Sequence, residues 1–287
     1  MSPPPDEGWL AQLDLRFVAR GGRSVMTRSR HFGPLRVQRP FYPEGPAGPC
    51  HVYMLHPPGG VVGSDRLELT LRAGPGSQAL LTTPGAGKLY RTRGPLATIS
   101  QRVVAAAGAY VELLPQETIA FRGADALLDT TIELETGARA VGWDIVCLGR
   151  PAAGERFDAG RLRQRIELRV DGALRWLERA DYRGGSALLD APWGLHGRPV
   201  IGTMWCAPAE EAELELARRA CAALETEDTA DTAGATRIAF TRIRGVLVGR
   251  CLAASTAAVR DRFERAWLAL RAHTGLQGVA RPRVWNT

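Results

Sequence analysis

The sequence predicts a mainly β protein with two α-helices late in the chain, and three observations carry that prediction. Short runs of alternating apolar and polar residues recur from Trp9 to about Cys206. Gly and Pro interrupt them at short intervals, as turns between strands require. Two stretches nearer the C-terminus carry apolar residues at helical spacing instead. The composition agrees: 287 residues, 45% hydrophobic and 23% charged, are ordinary proportions for a chain that builds its own core without a metal or disulfide staple.

The elements follow in order. Leu13, Leu15 and Phe17 share one face of a first strand, and Leu67, Leu69 and Leu71 repeat the pattern across Arg66–Arg72. The runs 129–135 and 164–170 alternate in the same way. Side chains of a strand point to opposite faces in turn, so this period marks half-buried strands. Split by turns such as Ala73-Gly-Pro-Gly76, they indicate an all-β stack, sandwich or barrel. No strand–helix alternation appears, which argues against a doubly wound nucleotide-binding fold. Residues 208–224 then place Leu214, Ala217, Cys221 and Leu224 on one helical stripe behind Pro208 and early glutamates. Residues 255–273 do the same with Val259, Phe263, Ala266, Trp267 and Leu270, and Gly275 follows where a left-handed cap is expected. Between these helices, the acidic stretch 225–234 has no apolar anchor and reads as a mobile loop. Strand-like residues return over 236–252. No internal repeat is evident.

Charge and cysteines exclude several classes. The net charge is +7, from 37 basic and 30 acidic residues, and Lys88 is the sole lysine. The arginines are scattered among acids, without the dense basic block of a nucleic-acid binder. The longest apolar-plus-Gly run, Val103 to Val111, is far short of the roughly 18 residues of a spanning helix. The N-terminal residues are neither basic nor followed by an apolar stretch, so a cytoplasmic protein is expected. Five widely spaced cysteines, Cys50, Cys147, Cys206, Cys221 and Cys251, fit buried thiols better than a disulfide framework or a zinc site.

Few motifs carry chemistry. The stretch His56–Asp65 is Gly-rich, but its prolines remove backbone donors where a phosphate would need them. Residues 82–88 imitate the end of a Walker A loop, yet Leu89 stands where a magnesium-binding hydroxyl belongs. Neither a G-x-S-x-G elbow nor an H-E-x-x-H motif occurs. The one metal-like cluster is Cys50, His51 and His56, whose thiolate and imidazoles suit a late first-row divalent ion. In a strand Cys50 and His56 face away from His51, so three ligands would meet only if the strand bends before Pro57. Asp65, Glu112, Glu117, Glu155 and Glu178 lie in or beside strand-like segments, where an inward charge needs a partner. Solvation or pairing with arginine is the plainer account of them.

Several long segments resemble the UreD (UreH) family of urease accessory proteins: Gly33–Glu44, Cys50–Leu67, Leu81–Arg91, Leu113–Ile119, Gly149–Phe157, Gly245–Arg250 and Arg281–Thr287. The resemblance runs from Trp9 to the end of the chain. Ser64 and Gly87 stand where the family often has Gly and Ser, small-for-small changes in loops. It implies a single domain over 1–287: a β-rich body, 9–206, of stacked sheets in a helical β-fold, then two helices flanking the acidic loop and further strands, 207–287. It implies no enzymatic activity. A member acts as a chaperone-like scaffold with UreF, the GTPase UreG and apo-urease, with dimeric assembly through UreF, and without a nucleic-acid or membrane partner. Nickel(II) is transient cargo rather than a resident cofactor, carried through an internal water-filled tunnel. The expected lining here is Asp65, Glu117, Glu155 and Glu178, joined by Cys50, His51 and His56. The alternative from a different class is a metal-dependent enzyme on an all-β scaffold with Cys50, His51 and His56 as ligands.

Overall fold

Eighteen strands and three helices realise these patterns in a computed structural model, which describes residues 8–92, 94–225, 236–274, 276 and 281–286. The strands begin with β1 (Leu10–Arg20), β2 (Arg23–Phe32), β3 (Arg36–Val37), β4 (Cys50–Leu55), β5 (Arg66–Ala73) and β6 (Gln78–Thr82). There follow β7 (Gly87–Leu89), β8 (Ala97–Ala105), β9 (Tyr110–Leu114), β10 (Thr118–Ala120), β11 (Asp125–Leu134) and β12 (Arg139–Arg150). The last are β13 (Glu155–Arg156), β14 (Arg161–Val170), β15 (Ala173–Arg183), β16 (Val200–Ala207), β17 (Arg237–Ile243) and β18 (Val246–Ala253). The helices are α1 (Ala187–Asp190), α2 (Glu211–Glu225) and α3 (Thr256–His273).

The chain winds as a β-solenoid of about four turns. One sheet has the order β15-β14-β11-β8-β5-β1-β2, and the other runs β17-β18-β16-β12-β9-β6-β4-β3. Each turn adds one strand to each sheet, so β1, β5, β8, β11 and β14 are parallel neighbours, as are β4, β6, β9 and β12. A narrow third side pairs β7 with β10 and β10 with β12. Alternation could not reveal this winding, because it marks the buried face of a strand and not the direction of its neighbour. A structural repeat is nonetheless present, contrary to the expectation of none. The corner after each strand of the first sheet holds a positive-φ glycine: Gly76, Gly108 and Gly137 at φ of 64°, 72° and 84°. They stack in a column, tied by bonds such as Gly108 N–H to Gly137 O at 3.1 Å. A side chain there would require a backbone conformation that only glycine adopts readily. Antiparallel hairpins end the parallel stack: β1–β2, β14–β15 and β17–β18.

The two sheets enclose one apolar core, with Leu13, Leu71, Val103, Ile132 and Ile166 against Val52, Leu81, Val111 and Val248. A second core lies between the outer face of the second sheet and the helices. β16, buried along its whole length, serves both, as expected of a strand covered on each face. α3 begins at Ser255, whose side chain accepts the Ala258 N–H at 3.3 Å, and it buries the anticipated stripe from Val259 to Leu270. It sits close because β16 carries Gly202, where an added Cβ would stand 2.4 Å from Val259 Cγ1. α2 begins at Glu211 rather than Pro208, with the Glu210 N–H donated to the Glu213 carboxylate at 2.6 Å. Of the acidic stretch 225–234, Glu225 is the last residue of α2, and residues 226–234, like the Gly275 cap, lie outside the described residues.

Candidate functional site

Polar side chains interrupt the core between the sheets, and they do so in register. In the second sheet Asp144 of β12 pairs across to Thr203 of β16, Thr203 to Arg250 of β18, and Arg250 to Ala239 of the edge strand β17. In the first sheet Gln101, Thr130, Ile166 and Glu178 form the facing row. β12 places Trp143 and Ile145 against the helices, so strand alternation turns Asp144 inward. There it meets a cavity of about 270 Å³ also lined by His56, Lys88, Gln101, Gln116 and Thr118. Among the described residues the Asp144 carboxyl takes one hydrogen bond, from Gln164 Nε2 at 3.3 Å. Burial pushes its pKa up to about 6, with Gln164 opposing, because a carboxylate held out of water favours its neutral form. Burial likewise lowers the His56 pKa, partly offset by Asp65, which keeps the imidazole in the neutral form that binds metals.

Next to Asp144 stand the buried Gln164, which bonds it, and Thr203, its neighbour in register, and Thr203 borders a second cavity of about 600 Å³. The second opens between β15 and β17–β18 and is lined by Thr203, Glu178 and Arg250. Glu178 and Arg250 face each other from opposite sheets as an ion pair, with Arg250 Nε to Glu178 Oε1 at 3.2 Å.

The structure therefore gathers some of the expected residues and scatters others. His56 and Glu178 lie at the two cavities. Asp65 accepts the backbone N–H groups of Trp9 and Val62, at 2.8 and 2.9 Å, and fastens a turn. Glu117 points towards the helices, where it pairs with Arg260 and accepts from Thr256 at 3.3 Å. Glu155 pairs with Arg150 at 2.6 Å in a different surface pocket. Cys50 is buried in the core between the sheets, and burial pushes its thiol up. His51 faces the opposite way and donates to Glu44 at 2.7 Å. Among the described residues no three His, Cys, Asp or Glu side chains converge as metal ligands. The Cys50/His51/His56 centre of the enzyme alternative is not assembled: strand alternation turns His51 away, and Cys50 and His56 lie at opposite ends of β4.

A second polar cluster went unanticipated apart from Glu112. Arg271, fully buried at the end of α3, bonds Glu112 at 2.7 and 3.0 Å and Glu44 at 2.8 and 3.0 Å. Trp267 Nε1 and the Tyr110 hydroxyl also donate to Glu112, at 2.7 and 2.8 Å. Burial pushes Glu44 up, but the bonds from His51 and Arg271 outweigh it and its pKa falls below the ordinary value. This saturated cluster locks α3 to the second sheet. Its sequence signal is weak: a lone acid in the apolar run 110–114 and an arginine in the last turn of an apolar helix.

Fold and seam together define a class: a β-solenoid scaffold whose polar chemistry runs through its interior, topped by a two-helix layer. Comparison with known proteins gives the family. The family model described as UreD urease accessory protein matches residues 10–286. The chain is 44% identical over 285 residues to urease accessory protein UreD of Pseudomonas entomophila (strain L48), covering 99% of this chain and 97% of that one. It is 45% identical over 283 residues to that of Pseudomonas putida (strain W619), with 98% and 96% covered. Against urease accessory protein UreD of Nitrosococcus oceani it is 43% identical, over 97% and 90% of the two chains. The chain belongs to the UreD family: it is a non-catalytic accessory protein of urease maturation, in which nickel insertion is the family role. No described helix is long and apolar enough to cross a membrane.

Proposed function

We propose that this chain hands nickel(II) to apo-urease along the interior seam, in a cytoplasmic complex with UreF and the GTPase UreG. The carrying observation is Asp144, an interior carboxyl with a single hydrogen bond among the described residues, facing a cavity. An ionisable group left under-bonded in a core costs stability unless it has another use. A divalent ion would meet the neutral imidazole of His56, the Asp144 carboxylate, amide and hydroxyl oxygens of Gln101, Gln164 and Thr203, and then Glu178. These are oxygen and nitrogen donors taken one or two at a time. Weak successive sites suit transit, because cargo must leave each as readily as it arrives. A closed site of three or more ligands would retain nickel, which ranks high in affinity for nitrogen and sulfur donors. Asp65, Glu117 and Glu155 are assigned to holding a turn, α3 and a surface loop, and Cys50 and His51 to the cores. The test is urease activity in cells carrying the whole urease operon, with this gene intact, deleted, or bearing Asp144→Asn. Deletion and Asp144→Asn are both expected to leave abundant inactive apo-urease. Full activity with Asp144→Asn would remove Asp144 from the path.

A further inference from the structure

The outer end of the seam is built to be covered. β17 packs Ile238 and Phe240 towards the helices, while Arg237, Ala239, Thr241 and Ile243 on its other face are exposed. That exposed face continues the row carrying Arg250, Thr203 and Asp144. At its rim stands Trp193, 74% exposed. Tryptophan at that exposure is the residue type that anchors protein interfaces.

The charge at this mouth is the wrong sign for its cargo. Arg237 and Arg250 line it, whereas Arg179 alternates with Glu178 and lies on the outer face of β15. Among the described residues Arg237 meets no carboxylate, and Asp181, on the outer face of β15, is taken by Arg161 and Arg183. Glu178, the remaining acid, is held by Arg250. Like charges repel, so the arginines at this opening disfavour passage of a divalent cation in the free protein.

We infer that this mouth is the docking face for a protein partner presenting carboxylates around an apolar recess, and that docking opens the seam. The recess receives Trp193, and the partner's carboxylates engage Arg237 and Arg250. Arg250 then releases Glu178, which becomes the last ligand before the cargo crosses. Passage is thereby confined to the assembled complex. This rests on the interior path proposed above and adds where it opens and what opens it.

The test uses the full chain, tagged and co-expressed with the intact urease operon, scoring the accessory proteins and apo-urease that co-purify. Trp193→Ala and the double variant Arg237→Glu/Arg250→Glu should each lower recovery of one partner by about tenfold or more, the scale of an interface hot spot, while other partners stay bound. Wild-type recovery of that partner should fall as salt rises, and the double variant should lose that dependence. Wild-type levels of every partner with both variants would overturn the docking face. So would a homodimer of the isolated chain that Trp193→Ala dissociates, since a second copy would then be the occupant. If the double variant fails to fold, Trp193→Ala decides alone. Nickel titration of the isolated chain tests the gate: Arg250→Ala should bind nickel(II) about tenfold more tightly, and unchanged affinity would overturn the release of Glu178. Asp144→Asn, expected to keep all partners yet lose transfer, reports on the interior path by itself.

Discussion

Two carboxylates, the buried Glu112 and the partly buried Asp144, stand on neighbouring strands of one sheet and have opposite fates. Glu112 on β9 points to the helix side and is saturated by Arg271, Trp267 and Tyr110. Asp144 on β12 points between the sheets and, among the described residues, has Gln164 alone, across a cavity. The first arrangement repays the cost of burial with charge-assisted bonds and fixes a helix in place. The second leaves the carboxyl under-satisfied, raises its pKa and keeps space beside it. A carboxylate that merely stabilises a core is expected to look like Glu112. One that exchanges ligands is expected to look like Asp144.

Substitutions can break this contrast, starting from the largest effect. Arg271→Met leaves Glu112 and Glu44 buried without their cation and should cost about 3–5 kcal/mol, read as a fall in Tm and loss of soluble protein. Gly202→Val drives a side chain into Val259 and Phe263 and should cost about 1–3 kcal/mol by overpacking, measured by urea denaturation. Asp144→Asn should act in the opposite direction. The folded pKa of about 6 stands above the ordinary 3.8, so the native state binds protons more tightly than the unfolded one. Stability therefore declines as pH rises from about 4 to about 6, and the loss persists above that. A two-unit shift is about 3 kcal/mol; because the carboxyl faces a cavity, a gain of about 1–2 kcal/mol at pH 7.5 is expected for Asn, vanishing near pH 4. Paired melts at the two pH values check it, and a variant less stable at pH 7.5 would contradict the contrast. Glu155→Gln, which removes a surface partner of Arg150, should change stability by about 0.5 kcal/mol and leave urease activation intact.

Much of the architecture was legible because alternation and helical spacing report directly on burial. The α3 stripe from Val259 to Leu270 was readable, whereas the Ser255 cap was found only in the structure. The winding was not, since parallel and antiparallel neighbours leave the same alternation in a strand. Its trace is the column Gly76, Gly108 and Gly137, visible once the strands are aligned. The site was legible at its ends, His56 and Glu178, but not at its centre. Asp144 sits in Val141–Leu148, an apolar run typical of a strand buried on both faces. A lone acid in such a run is the signal that identifies it. Asp65, Glu117 and Glu155 carried the same charge in similar settings, and only their partners distinguish them: two backbone N–H groups, Arg260 and Arg150.

The most direct measurement is the nickel content of urease purified from cells carrying the operon with wild-type, Asp144→Asn or Glu155→Gln protein, with the maturation complex recovered in parallel. Asp144→Asn should yield urease with about a tenth or less of the wild-type nickel, given a lost ligand in a serial path, while the complex is recovered intact. Glu155→Gln should match wild type. Full nickel occupancy with Asp144→Asn would contradict the account.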